Sequence, residues 1–340
     1  MTLEKNGRCL VLGDGGWGTA IALSLHRAGR DVAVWSVDSE YAAEVARTRK
    51  NEKFLPGVEL PEALLWTGNR EEALEGATEF YSVIPTQFIR ETVMQFNGAL
   101  SSLPGLSCSK GLELESFQRP SQILAEAITS EAGIAVLSGP SHAEETAFGL
   151  ATSVVIAAEN PILAKHFQNQ IAGPQFRVYS SNDLIGVELG GALKNIIAVA
   201  AGVADGIGLG DNAKAALVSR GLVEMGRFGN AQGAQRETFF GLSGAGDLMV
   251  TCYSCHSRNR AFGERVGKGE SLDSILKTTE KVSEGVWTCQ AVHRAAQRAG
   301  IEMPITEALH AILFDKLEPK EVVRQLMARP SRPELDQTPS

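Results

Sequence analysis

The chain has 340 residues, 44% hydrophobic and 21% charged, which suits a globular protein with length for about two domains and argues against a disordered one. Lys and Arg number 32 against 40 Asp and Glu, a net charge of −8. With no long basic run, that balance disfavours nucleic acid or an anionic membrane as partner but leaves a small anion possible, since one pocket can be positive on a negative protein.

In chain order, residues 8–12 (RCLVL) form a short apolar run ending at Gly13. Residues 19–28 place Ile21, Ala22, Leu25 and Ala28 at helical spacing, and 31–35 (DVAVW) read as a buried strand. Strand, Gly-rich turn, helix and strand make a βαβ unit. Further strand runs fall at 80–84, 106–109, 135–138 and 152–157, separated by helix-like stretches. The expected fold is therefore α/β, a Rossmann-type doubly wound parallel sheet over residues 1–182.

After Asn182 the strand runs stop and an all-α domain over 183–328 is expected. Residues 184–204 read as a long buried helix, followed by helices at 214–228, 258–268, 272–276, 289–299, 305–314 and 319–327. The segment 329–340 holds three prolines and few apolar residues, so a disordered tail is expected. No stretch reaches the ~20 uninterrupted apolar residues of a membrane helix, so no membrane insertion is expected. The opening MTLEKNGRCLVLG lacks a signal-peptide pattern, and the five cysteines are odd in number and scattered. Reduced thiols in the cytoplasm are the expectation.

Gly13-Asp14-Gly15-Gly16-Trp17-Gly18 is a G-x-G-x-x-G between a strand and a helix. Gly13 permits the tight turn, Gly15 admits a pyrophosphate to the backbone, and Gly18 allows close helix–strand packing. Free N–H groups at the helix start then face the anion. Common glycines produce such a pattern by chance, and the βαβ context is what favours a dinucleotide site. Asp38, just past the second strand, reads equally as a ribose ligand or as the cap of the next helix.

Gly-Gly-Trp-Gly-Thr-Ala at 15–20 resembles the cofactor loop of the NAD(P)-dependent glycerol-3-phosphate dehydrogenase family. The resemblance runs from about residue 8 to 328 with the motifs in family order. It includes Asn51…Phe54-Leu55-Pro56-Gly57, Val83-Ile84-Pro85-Thr86, Ser109-Lys110-Gly111-Leu112-Glu113 and Ser138-Gly139-Pro140-Ser141-His142-Ala143. In the second half it includes Glu188 through Asn195, Gly241 through Leu248, Thr251-Cys252…Ser257-Arg258-Asn259 and Val282-Ser283-Glu284-Gly285.

The resemblance implies a Rossmann domain followed by a helical domain. It implies reversible hydride transfer between NAD(P)H and dihydroxyacetone phosphate, yielding sn-glycerol 3-phosphate for phospholipid synthesis. It assigns Lys194 as proton donor and acceptor. The stretch ELGGALKNIIAVAAG sets that cation in an apolar helix, where desolvation and a second cation would lower its pKa. Without the resemblance, Lys194 would read as a lysine snorkelling from a helix edge.

Lys110, Gly139, Ser141, Lys194, Asp247, Ser257, Arg258 and Asn259 are implied as substrate contacts. Gly13, Gly15, Gly16, Trp17, Gly18, Lys110, Ala143, Arg258, Val282 and Glu284 are implied as cofactor contacts. Taken alone, Lys110 would be a solvated loop lysine, Gly-Pro-Ser a turn and Ser257 a plain helix cap. A hydroxyl, a guanidinium fork and an amide opening a helix suit a phosphate monoester. Asp247 either orients Lys194 or accepts from a substrate hydroxyl.

Cys252-Tyr253-Ser254-Cys255-His256 matches the haem-attachment pattern C-x-x-C-H, but that attachment needs export, and no further ligands follow at metal-site spacing, so no metal is expected. Ser36-Val37-Asp38 offers no basic group to a 2′-phosphate, which favours NAD over NADP, although Arg47, Arg49 and Lys50 lie downstream. A homodimer is expected from the resemblance. Two other readings stand beside it: a related two-domain dehydrogenase for another 2-hydroxy acid or an imine, and a nucleotide-sensing regulator without catalysis.

Overall fold

A computed structural model describes residues 7–278, 283–331 and 333–334. Eight strands form one sheet: β1 (Arg8–Leu12), β2 (Val32–Trp35), β3 (Leu65–Thr67), β4 (Ala77–Ser82), β5 (Gly105–Ser107), β6 (Ile134–Ser138), β7 (Thr152–Ala157) and β8 (Phe176–Ser181). Their order is β3-β2-β1-β4-β5-β6-β7-β8, and every pairing is parallel except β6 with β7. The expected doubly wound sheet is present, with one antiparallel joint. The order reverses direction at β1, so a crevice opens beyond the carboxyl ends of β1 and β4, where open α/β sheets bind ligands.

Helices α1 (Gly16–Arg27), α2 (Ser39–Thr48), α3 (Arg70–Leu74), α4 (Ile89–Met94), α5 (Pro120–Ala127), α6 (Ala143–Ala147) and α7 (Pro161–Ile171) accompany the sheet. The remainder is helical: α8 (Leu184–Gly206), α9 (Asp211–Ala231), α10 (Asp247–Tyr253), α11 (Arg258–Gly267), α12 (Leu272–Thr278), α13 (Glu284–Ala299), α14 (Pro304–Leu313) and α15 (Pro319–Met327). Leu242–Gly246 forms a π-helical turn that runs into α10. Helix α8 is long and apolar enough to cross a membrane, yet 94% of its most apolar window is buried inside the fold. It is the central post of the helical part, packed on α9, α11 and α13.

The two parts are riveted by polar contacts as well as packing. Glu188 of α8 accepts from the Ser121 backbone N–H at 2.7 Å, from Ser121 Oγ at 2.7 Å and from Arg119 at 2.6 Å. These bonds satisfy the start of α5 and fix α8 against the sheet. Of the segment expected to be a tail, residues 332 and 335–340 lie outside the described residues; Arg220 donates to the Glu334 carbonyl at 2.9 Å.

The turn after β1 depends on its glycines. Gly13 has φ +110°, in the region that favours glycine, and a Cβ at Gly18 would stand 2.0 Å from the Gly13 carbonyl oxygen. Gly18→Ala is therefore expected to force β1 and α1 apart and lower stability by about 1–3 kcal/mol, read as a drop in Tm.

Candidate active site

At the start of α1, Gly15 is the N-cap and provides no side-chain bond, and no acidic residue occupies the first turn. The first N–H groups of a helix lack intrahelical acceptors. A Cβ at Gly15 would meet nothing within 4 Å, so the turn faces open space. The helix end, the open approach and the crevice position fit a dinucleotide pyrophosphate. Asn51 holds the loop in place, donating to the Asp14 carbonyl at 2.7 Å and to Thr19 Oγ1 at 2.8 Å. The Trp17 indole N–H is buried without a partner among the described residues.

Asp38 is the cap of α2: its carboxylate accepts from the Tyr41 N–H at 2.9 Å. Ala143 opens α6 beside Gly16, its Cβ 3.6 Å from where a side chain at Gly16 would begin. The glycine turn and the Ser141–Ala143 segment therefore adjoin.

Three charged side chains from three elements meet at that segment. Lys110 lies just beyond β5, Lys194 in the middle of α8, and Asp247 at the start of α10. Lys194 Nζ donates to Asp247 Oδ1 at 2.8 Å and to Thr251 Oγ1 at 2.7 Å. Lys110 Nζ donates to the other carboxylate oxygen at 2.6 Å, to the Gly139 carbonyl at 3.0 Å and to Ser141 Oγ at 3.4 Å. Gly139 has φ +140°, and a Cβ there would stand 2.9 Å from Val154 Cα, so the close turn admits only glycine.

One buried carboxylate thus bridges two ammonium groups. Burial pushes Lys194 down to about 8; Asp247 resists that shift and Lys110 adds to it. Burial also opposes ionisation of Asp247, but the two ammonium groups outweigh it and hold the carboxyl below its usual range. An amine poised near neutrality inside an apolar helix can give or take a proton.

The second polar cluster follows Cys255. Ser257 caps α11, its hydroxyl accepting from the Arg260 N–H at 3.2 Å. Asn259 is occupied by protein: it donates to Asn195 Oδ1 at 2.9 Å and accepts from the Gly285 N–H at 3.0 Å. Asn195 in turn donates to the Lys110 carbonyl at 3.1 Å, so this chain ties α11 and α13 to the loop after β5. The Arg258 guanidinium is exposed and has no hydrogen-bond or ion-pair partner among the described residues, which leaves its fork available to an anion.

Glu284 at the start of α13 accepts from the Thr86 N–H at 2.8 Å, and its other carboxylate oxygen is buried beside Gly111 without a partner. Burial raises it to about 7, against the Thr86 N–H bond and the Arg258 charge. Val282 lies outside the described residues. No group of three or more metal-ligating side chains exists among the described residues, and Cys252 and Cys255 form no disulfide.

Sequence reasoning passed over Thr251, Asn195 and Asn51 as site residues. Thr251 stands one helical turn after Asp247, and Asn195 directly follows Lys194. All three lay within quoted motifs, but the pairings depend on contacts between distant segments.

Family-level comparison matches residues 8–164 to the NAD-dependent glycerol-3-phosphate dehydrogenase N-terminus and residues 183–324 to the C-terminus of the same family. The glycerol-3-phosphate dehydrogenase (NAD(P)+) of Geobacillus thermodenitrificans is 46% identical over 329 residues, covering 96% of each chain. A Salinibacter ruber protein of the same name is 45% identical, covering 95% of this chain and 96% of its own. The crystal structure of glycerol-3-phosphate dehydrogenase from Coxiella burnetii superposes with a TM-score of 0.90 at 37% identity, covering 95% of this chain and 99% of that one.

Proposed function

From the premise that the chain belongs to the NAD-dependent glycerol-3-phosphate dehydrogenase family, we propose that it interconverts dihydroxyacetone phosphate and sn-glycerol 3-phosphate. The bound nicotinamide supplies or accepts the hydride. The protein holds both partners and moves the proton. The observation that carries this reading is the array of buried Lys194 and Asp247 with half-buried Lys110, set against the glycine turn.

The labour divides at the junction before α8. Residues 1–182 grip the dinucleotide, with Gly13, Gly15, Gly16, Trp17 and Gly18 around the pyrophosphate and Ala143 beside it, and the later part adds Val282 and Glu284 as further nucleotide contacts. Residues 183–328 bring Lys194, Asp247 and the Ser257–Asn259 segment to the ketone. Lys194 protonates the oxygen of the ketone as it is reduced and takes the proton back in oxidation. Lys110, Gly139 and Ser141 line the same ketone, and Lys110 keeps Lys194 poised. Asp247 holds both amines in position. Arg258 takes the phosphate, and also reaches the nucleotide. Ser257 and Asn259 set its approach.

NAD is the favoured nucleotide, supported by Asp38, whose carboxylate at the head of α2 would repel a 2′-phosphate. Physiologically, the product supplies the glycerol backbone of phospholipids in the cytoplasm, and the working unit is a homodimer.

The test is oxidation of NADH, followed at 340 nm, with dihydroxyacetone phosphate as acceptor. Turnover supports the reading; no turnover with either nucleotide refutes it. Arg258→Ala is expected to raise KM for the phosphorylated ketone ~10-fold or more, since a charge-assisted bond to phosphate is lost, while KM for NADH moves far less. Equal wild-type turnover of unphosphorylated dihydroxyacetone would contradict that role.

A further inference from the structure

Asp247 is not the only carboxylate that joins cations from separate helices. Half-buried Asp205 stands about three turns after Lys194 on α8, on nearly the same face and roughly 16 Å further along the axis. Its Oδ2 accepts from Lys214 Nζ of α9 at 2.8 Å and from Arg260 Nη1 of α11 at 2.8 Å. Lys214 is buried, and its ammonium also lies over the Tyr253 ring at the end of α10, 4.9 Å from the centroid.

Arg260 reaches further. Its Nε donates to the Ser254 carbonyl, just past α10, at 3.2 Å, and its Nη1 also donates to Glu264 at 3.2 Å. The same Ser254 carbonyl accepts from the Ser257 N–H at 3.3 Å. Asp205 thus anchors the side chain that closes the turn 254–257, the link between the helix of Asp247 and Arg258. Backbone contact leaves that link little slack. A Cβ on Gly202 of α8 would stand 2.0 Å from the Arg260 carbonyl oxygen, and one on Gly263 of α11 would stand 1.9 Å from that of Val199. The glycines set how near α11 comes to α8, and the Asp205 bonds set where its first turn lies along α8.

Resting on the dehydrogenase reading, the ketone is gripped at two points, its carbonyl by Lys194 and its phosphate by Arg258. The separation of those two groups must match the substrate. We propose that Asp205 is a positioning residue: through Arg260 and Lys214 it holds the 254–257 turn, and with it Arg258, at the distance from Lys194 that the phosphorylated ketone requires. Charge alone predicts the reverse effect. Removing a carboxylate raises the positive potential around Arg258, which by itself would draw the phosphate in more tightly. A weaker grip after its removal therefore reports lost position.

Asp205→Asn takes away the charge between Lys214 and Arg260. KM for dihydroxyacetone phosphate is expected to rise ~10-fold or more, with KM for NADH in place. Arg260→Lys keeps the charge but loses the fork that reaches Asp205 and Ser254 together, and should show the same split with a milder demand on folding. Because both act through Arg258, either change added to Arg258→Ala should lower kcat/KM by less than ~2-fold further. An unchanged or lowered KM in the single variants overturns the proposal. So do losses that multiply with that of Arg258→Ala, the pattern of general structural damage. Wild-type turnover with either contrary result spares the dehydrogenase reading, whereas no wild-type turnover of dihydroxyacetone phosphate overturns both.

Discussion

Lys194→Met is expected to lower kcat by about 10²–10⁴-fold, the range a positioned proton donor contributes, with little change in the affinity for NADH. Methionine matches the length and apolar stem of lysine, so α8 keeps its packing and the loss reports the amine alone. Steady-state kinetics and NADH fluorescence titration separate the two effects. Near-normal turnover would remove Lys194 from the chemistry.

The same amine sets the pH dependence. Reduction needs it protonated at the start of the step, so kcat/KM for the ketone should fall as pH rises through about 8. Oxidation needs it neutral, so kcat/KM for glycerol 3-phosphate should rise through the same pH. The two profiles cross because one group serves both directions.

Asp247→Asn should be damaging in two ways. Asparagine keeps the shape but removes the negative charge between two ammonium groups. Breaking a buried ion pair from one side costs about 3–5 kcal/mol, so chemical denaturation should show a loss of that order. Asp247 also holds the Lys194 pKa up against burial, and without it the pKa falls further. The descending limb of the reduction profile should then move to lower pH. A variant with wild-type stability and an unmoved limb would show that the carboxylate does neither job. Its own stabilising contribution follows the usual carboxylate direction: held below its ordinary pKa in the folded protein, it contributes at neutral pH and is lost as acid protonates it.

Much of the architecture was legible in the chain because buried parallel strands are nearly continuous apolar runs. RCLVL and VAVW announce β1 and β2, and the glycine turn between them fixes what α1 must face. β3 and β8 escaped notice for opposite reasons. β3 has three residues, too short for any period, and β8 alternates buried and exposed positions on a polar sequence, FRVYSS. The antiparallel joint of β6 and β7 leaves no mark on either strand, since only the path of the connecting chain decides direction.

Among the site residues, the motif order brought Lys110, Gly139, Ser141, Lys194 and Asp247 together on paper, and the structure joins them by hydrogen bonds. Which residue serves which partner was not readable. Asn259 looks from its motif like a ligand group, yet both ends of its amide are taken by Asn195 and Gly285. That Asp38 caps α2 is visible only in its bond from the Tyr41 N–H. Thr251 became a partner of Lys194 only because the π turn delivers α10 beside α8. The Lys194–Thr251 and Asn195–Asn259 pairings join residues 57 and 64 positions apart, and local pattern carries no information about them.

The most direct test is a crystal structure of the protein with NAD and dihydroxyacetone phosphate bound. The account predicts Lys194 Nζ on the carbonyl oxygen at about 3 Å, with the phosphate on Arg258. A carbonyl oxygen bound by some other group, with Lys194 still held by Asp247 and Thr251 alone, would contradict it.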